Sequence, residues 1–241
     1  HYGRWFFLTH HGTGDWSGRV VSLLPVKWVD DWPIIGKVRP DGMGEMAWSG
    51  STGFSTAVKH KMQRSDDFDS GKMEPQWQWN YQPRQSHFSL TERSGWLRLK
   101  AFKPIEPGKL LKAGNTLTAR VFRTSSSKVE IKIDVSGMTD GMRCGLCHFS
   151  ASSSSLGIEK RDVKKYGTFR ENDEANSSVP VPDGISELWL RSEWGLDGMS
   201  HYSYSLDGVT FTAAGDYQLR WGNYRGDRYG IFCYNDKEES G

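Results

Sequence analysis

From Val129 to Val135 apolar and charged residues alternate without a break: Val129, Ile131, Ile133 and Val135 on one side, Glu130, Lys132 and Asp134 on the other. Successive side chains of a strand point to opposite faces, so this segment reads as a strand with one face on a core and one in water. Leu97, Leu99 and Ala101 repeat the pattern, as do Leu117, Ala119 and Val121. Pro75 and Pro83 bracket another predicted strand, with Trp77, Trp79 and Tyr81 on one face and Gln76, Gln78 and Asn80 on the other. Further strands are expected over 143–149, 154–160, 186–194 and 229–235. A hairpin is expected over 202–211, where Asp207-Gly208 suits a type I′ turn. Asp162 to Pro182 is polar and irregular, and reads as a long excursion or an exposed hairpin. Few segments show a 3.6-residue period. Strands of this number and spacing make two packed antiparallel sheets, so an all-β fold is expected, with a β-sandwich over 65–241.

Residues 1–45 differ in character. Gly18 to Gly36, GRVVSLLPVKWVDDWPIIG, carries Val20, Val21, Leu23, Leu24 and Val26 without clean alternation. Such a strand should be buried on both faces, inside a larger sheet assembly. Pro25 argues against an ordinary central strand, because it has no N–H to give the ladder. The neighbouring residues of like character are too few to enclose the segment. Residues 1–45 are therefore expected to be the end of a domain whose remainder lies outside this sequence. The stretch that follows is rich in Gly, Ser and Thr, and residues 46–64 are expected to be a linker. Without residues 1–45 the sandwich is expected to fold by itself.

Charge narrows the partners. The chain carries 31 basic and 29 acidic residues, net +2, without blocks, which argues against the clustered basic face of a nucleic-acid binder. No apolar run approaches the ~20 residues of a membrane helix. The 11 Trp and 9 Tyr suit sugar recognition, since these rings join an apolar face to a polar edge, and they suit a large core equally well. Cys144 and Cys147 lie three apart in a strand and so point to opposite faces. That is the wrong arrangement for zinc or redox chemistry, and with Cys233 they are expected to be buried thiols.

The segment WFFLTHHGTGDWSGRVVSLLPVKWVDDWPIIG, residues 5–36, resembles the last blade of the five-bladed β-propeller of glycoside hydrolase family 43. The shared pattern is an aromatic-rich strand, a polar Gly-rich loop, Gly-Arg, a strand ending in Pro-Val-x-Trp and an Asp-Trp-Pro turn. SDDFDSGKMEPQWQWNYQP, FSLTERSGWLRLKAF, YSYSLDGVTFTAAG and YGIFCYN are similar to the C-terminal β-sandwich of its β-xylosidase and α-L-arabinofuranosidase branch. The resemblance implies a concanavalin A-like, jelly-roll sandwich preceded by one propeller blade. It implies a non-catalytic carbohydrate-binding or accessory module of a hemicellulose-degrading enzyme, secreted or periplasmic, acting on xylan or arabinoxylan of the plant cell wall. A fragment of an intact β-xylosidase or α-L-arabinofuranosidase, or a purely structural cap on the propeller, are the alternatives. The missing blades of the parent chain are the implied partner. The family's catalytic carboxylates come from early blades. Asp15, Asp30, Asp31, Asp41 and Glu45 match none of them, so this chain alone is expected not to hydrolyse a glycoside.

Several residues are candidate ligands. Arg19 matches a family arginine that points into the propeller's central pocket and contacts the sugar, where its fixed fork of donors can hold two oxygens; packing on a neighbouring blade is the other reading. His10 and His11 sit in the loop above it and read as loop residues. In the sandwich the candidate sugar platform is Trp79 and Tyr81 with His87, joined by Trp194 and Tyr202, although the same face would equally serve as core. The one cofactor expected is a structural Ca²⁺. Asp66, Asp67, Asn235 and Asp236 would supply hard oxygen ligands if the first and last strands pair, and ordinary surface turns are the alternative.

Overall fold

The structure is a computed structural model and describes residues 3–12, 14–51, 65–222 and 224–237. Most of the expected 46–64 linker lies outside the described residues. The chain falls into two compact units: residues up to 14 together with 18–51, and residues 15–17 together with those from 65 onward. Among the described residues no helix is long and apolar enough to cross a membrane.

In the first unit β1 (Trp5–Gly12), β2 (Arg19–Val29) and β3 (Trp32–Ile35) form an antiparallel sheet with β2 in the middle. The short strands β4 (Lys37–Val38) and β5 (Gly44–Glu45) pair beside them in the chain. Asp30 and Asp31 join β2 to β3 with φ of 48° and 62°, the two left-handed residues of a type I′ turn. Pro25 does sit in the central strand. Its carbonyl accepts from Gly36 N–H at 2.8 Å, and the missing N–H points the same way, beyond the last β2–β3 pair, Val26 and Ile35. The ladder to β1 loses nothing, which is why the proline is tolerated. Of the β2 side chains only Leu24 is buried. Trp5 is 61% exposed, Leu8 67% and Trp32 71%, and Val20 and Val21 of β2 are exposed on opposite faces.

The second unit holds β6 (Gln78–Trp79), β7 (Phe88–Ser89), β8 (Arg98–Leu99), β9 (Thr116–Arg120), β10 (Ser127–Asp134), β11 (Met142–Phe149), β12 (Ser153–Arg161), β13 (Lys164–Glu171), β14 (Glu174–Pro180), β15 (Glu187–Trp194), β16 (Met199–Ser205), β17 (Thr212–Gln218) and β18 (Arg228–Asn235). A seven-stranded sheet runs β14-β13-β12-β11-β18-β9-β6, and a four-stranded sheet runs β10-β15-β16-β17. The expected all-β sandwich is what forms. Leu146, Leu156, Ile158 and Phe169 of the larger sheet meet Leu188, Leu190, Tyr202 and Tyr217 of the smaller in one core. Val129, Ile131 and Ile133 of β10 pack against it from the inward side of their alternating strand. Trp16 belongs to the same core, so residues 15–17 lie with the sandwich and not with the segment that carries them in sequence.

Two local expectations change and one open reading is decided. The strand bracketed by Pro75 and Pro83 shrinks to β6, because Trp77 turns aside, stacks on Phe68 and gives its Nε1–H to Asp66 at 2.7 Å. Of the two readings for the polar stretch after Asp162, the exposed hairpin is what forms, as β13 and β14 turned by Asn172 and Asp173 with φ of 48° and 73°. At Asp207-Gly208 only the glycine has positive φ, so the turn is not type I′. There the Asp207 carboxylate accepts from the amides of Thr210 and Val209, each at 2.8 Å, and these bonds hold its pKa down to about 2. A carboxylate that caps successive amides organises a wider loop, with Tyr204 and Thr212 as its last strand pair.

Candidate functional site

The outer face of the seven-stranded sheet turns away from the smaller sheet. At its centre Gly145 of β11 stands directly beside Gly157 of β12 and Phe232 of β18. A Cβ on Gly157 would meet the Cys144 carbonyl oxygen at 2.5 Å and the Phe232 ring at 3.0 Å. The Phe232 ring lies over this backbone, and around it a shallow groove is lined by Arg143, Ser155, Glu159, Thr168, Arg170 and Tyr234. Strand register sets these walls side by side: Arg143 opposes both Glu159 and Tyr234, and Ser155 opposes Arg170. At one end Gly108 N–H is fastened to Asp236 at 2.7 Å and Leu110 N–H to Asp173 at 2.9 Å. The loop so held covers Cys147, Phe149, Phe232 and Tyr234 with Leu110 and Ala113.

Glu159 is the hub of the groove. Its carboxylate takes Arg170 at 2.6 Å, Arg161 at 3.1 Å and Arg143 at 3.3 Å. Arg143 also reaches Asp236 and the Tyr234 hydroxyl, both at 3.3 Å. Burial by itself would raise the Glu159 carboxyl, but the bond from Arg161 and the charges and bonds of Arg143 and Arg170 outweigh it and hold the group below its ordinary value. A folded pKa below the unfolded one means that the contribution to stability is present above pH 4.5 and lost as pH falls through the depressed value. Acid melts of the wild type and Glu159→Gln should therefore converge as pH drops below 4.5, while the wild type melts higher at neutral pH.

The sequence-derived sugar platform does not assemble. Trp194 is 6% exposed and gives its Nε1–H to the Phe122 carbonyl at 3.3 Å; Tyr202 is 1% exposed and its hydroxyl pairs with Ser154 Oγ at 2.9 Å. Both are core, because each lies on the inward face of a strand in the smaller sheet. Trp79 is half-buried with its ring 4.7 Å from Phe88, and His87 stands edge-on to Phe102 at 5.1 Å. Tyr81 alone of the five is on the surface, and a lone ring is no platform. Arg19 is half-buried at the start of β2, opposite Gly12.

The calcium set is likewise dispersed. Asp66 accepts from Phe68 N–H and Trp77, Asn235 is fully buried against Thr139, Asp140 and Lys237, and Asp236 is held by Gly108 and Arg143. Asp67 is exposed. Among the described residues no group of three or more His, Cys, Asp or Glu is placed to hold a metal ion. Cys144, Cys147 and Cys233 are free thiols on the two faces expected, and burial pushes the Cys144 thiol up to about 12, out of the reactive range.

A polar chain that the sequence did not announce crosses the core. His148 of β11 contacts Asp227 through Nδ1 at 3.1 Å and Ser192 of β15 through Nε2 at 2.8 Å. Ser192 in turn pairs with Ser200 at 2.7 Å. The order of residues is that of a hydrolytic triad, but Ser192 and His148 are fully buried and no substrate can reach them. Burial pushes the Asp227 carboxyl up, and His148 with the Arg220 and Arg228 amides pulls against it.

Residues 65–241 match the family model of the β-xylosidase C-terminal concanavalin A-like domain of GH43. The chain belongs to this family. A β-xylosidase of Formosa agariphila is 34% identical over 245 residues, covering 93% of this chain and 41% of that protein. This chain therefore spans less than half the length of that relative. A bifunctional GH43-CE protein of Bacteroides eggerthii superposes on all of this chain with a TM-score of 0.77 at 27% identity, and 31% of its own length is covered. A GH43 protein of Bacillus licheniformis gives a TM-score of 0.81 over the whole chain and 49% of its own; at 22% identity it shows the fold alone. For a GH43 sandwich the groove residues had one signal in the sequence: glycines inside apolar strands, Gly145 and Gly157, which mark close backbone approach or room for a ligand.

Proposed function

We propose that this sandwich is an accessory carbohydrate-binding module of a xylan-degrading GH43 enzyme outside the cell, and that the groove on the outer face of its larger sheet holds the sugar. The observation that supports the reading is the groove itself, where the guanidiniums of Arg143 and Arg170 and the hydroxyls of Ser155 and Thr168 stand beside the Phe232 and Tyr234 rings. Guanidinium and carboxylate pairs hold vicinal hydroxyls with defined geometry, and a short groove gives modest affinity, in roughly the micromolar-to-millimolar range. Calorimetric titration of the 241-residue chain with xylohexaose is the test. Thr168→Val removes one lining hydroxyl, which also meets Ser178 Oγ at 3.3 Å, and should weaken binding several-fold. No heat at millimolar xylohexaose with the wild type would overturn the reading.

A second role is supported by the first unit. Its sheet leaves Trp5, Leu8, Val20, Val21 and Trp32 exposed. Large apolar side chains left exposed on both faces of a small sheet suit contact with further chain. We infer that it is a propeller blade that packs on the other blades of the parent chain, whose carboxylates would do the hydrolysis. The chain alone should leave aryl xylosides and arabinofuranosides at the buffer rate; turnover that survives repurification would refute this.

A further inference from the structure

We propose that Cys144 and Cys233 are the two halves of a cross-strand disulfide, a staple closed while the sandwich folds and sealed once it has folded. Cys144 of β11 and Cys233 of β18 stand directly opposite each other, near the middle of the seven-stranded sheet. Opposed residues of paired strands point to the same face, and both side chains join the core between the sheets. Cys233 gives its N–H away from β11, to the Asn115 carbonyl at 3.2 Å. The pair is therefore of the non-hydrogen-bonded kind, in which Cα atoms approach to about 4.5 Å and side chains lie closest. That separation falls within the roughly 4.4–6.8 Å that a disulfide spans without moving the backbone. The third thiol cannot compete. Cys147 lies on the other face among Phe149, Phe232 and Tyr234, and its Sγ meets the Gly230 carbonyl at 3.4 Å.

In closing the bond each thiol gives up its hydrogen and the two sulfurs join. A small disulfide such as oxidised glutathione is the oxidant; it takes up the two hydrogens and leaves as two thiols. An oxidising compartment supplies such a reagent. Burial pushes the Cys144 thiol up to about 12 and the Cys233 thiol well above its ordinary value, so neither is a thiolate in the folded chain at neutral pH. Exchange then belongs to the time when the strands are still open. The bond encloses every strand from β12 to β17, a long loop whose closure restricts the unfolded chain.

The test is to refold the 241-residue chain from guanidinium chloride in a mixture of oxidised and reduced glutathione, and in parallel in reductant alone. Thiols are then counted in denaturant and the linked peptides identified by mass. The oxidised product should show one free thiol against three, with Cys144 joined to Cys233, and should melt about 5–15 °C higher. Cys233→Ala refolded under the two conditions should melt at one temperature. The reduced chain, once folded, should keep all three thiols overnight in the oxidised buffer. If the chain does not refold, the same count is made on protein exported to a bacterial periplasm. Three free thiols after oxidation, or a bond through Cys147, would overturn the proposal. A bonded chain that melts with the reduced one would overturn the staple, and quick loss of thiols from the folded chain would overturn its sealing.

Discussion

Asp227→Ala should destabilise the sandwich by about 3–5 kcal/mol, because it strips the partner from two buried polar groups at about 1–3 kcal/mol each. The carboxylate accepts from the His148 ring, and its other oxygen from the Arg220 amide at 3.2 Å, all in a core that water does not enter. Taking it away leaves the Nδ1 and the amide unpaired, and through Nε2 it loosens Ser192 and Ser200 on the opposite sheet. For a unit of this size the loss corresponds to a fall of about 6–20 °C in Tm. Asp227→Asn keeps an oxygen to accept from the ring and should recover part of it. Thermal melts of the three proteins decide the matter; an alanine variant that melts with the wild type would mean the chain of bonds is incidental to stability.

Trp16→Ala should cost a similar amount, about 3–5 kcal/mol, as other large-to-small changes in cores do. The ring is 5% exposed within the sandwich core, its carbonyl accepts from Asp227 N–H at 2.8 Å, and its neighbour Asp15 is bridged to Arg123. The fit leaves no spare room. Gly198, at φ 71°, lies flat against the indole, and any side chain there would strike it. Gly198→Ala should therefore destabilise in the same direction, through the ring and through the left-handed backbone together. Because residues 1–45 contain Trp16, removing them should also weaken the remaining sandwich, which is still expected to fold. Urea unfolding of Trp16→Ala and of the truncated chain should give matching losses. A truncated chain as stable as the intact one would show that the tryptophan's packing is replaceable.

Strand faces were legible along the chain, because side-chain alternation is a local property. Ile131 and Ile133 point inward and Glu130 and Lys132 outward for no other reason than period two. The sequence also carried the family, in the Gly-Arg, Trp-Pro and Gly-Trp-Leu-Arg-Leu segments, and the opposite facing of Cys144 and Cys147. Which aromatic rings meet water emerged with the packing of the two sheets, because an inward face is defined by the sheet that lies opposite. Trp194 and Tyr202 face β11 and β12 and become core, whereas their composition would serve a sugar as readily. Arg143, Glu159 and Arg170 lie far from contiguous in sequence and become one cluster through the registers of β11, β12 and β13, which nothing local in those strands specifies. Trp16 enters the sandwich core for the same reason. Burial is a property of what packs against a residue, and no window along the chain contains its partners.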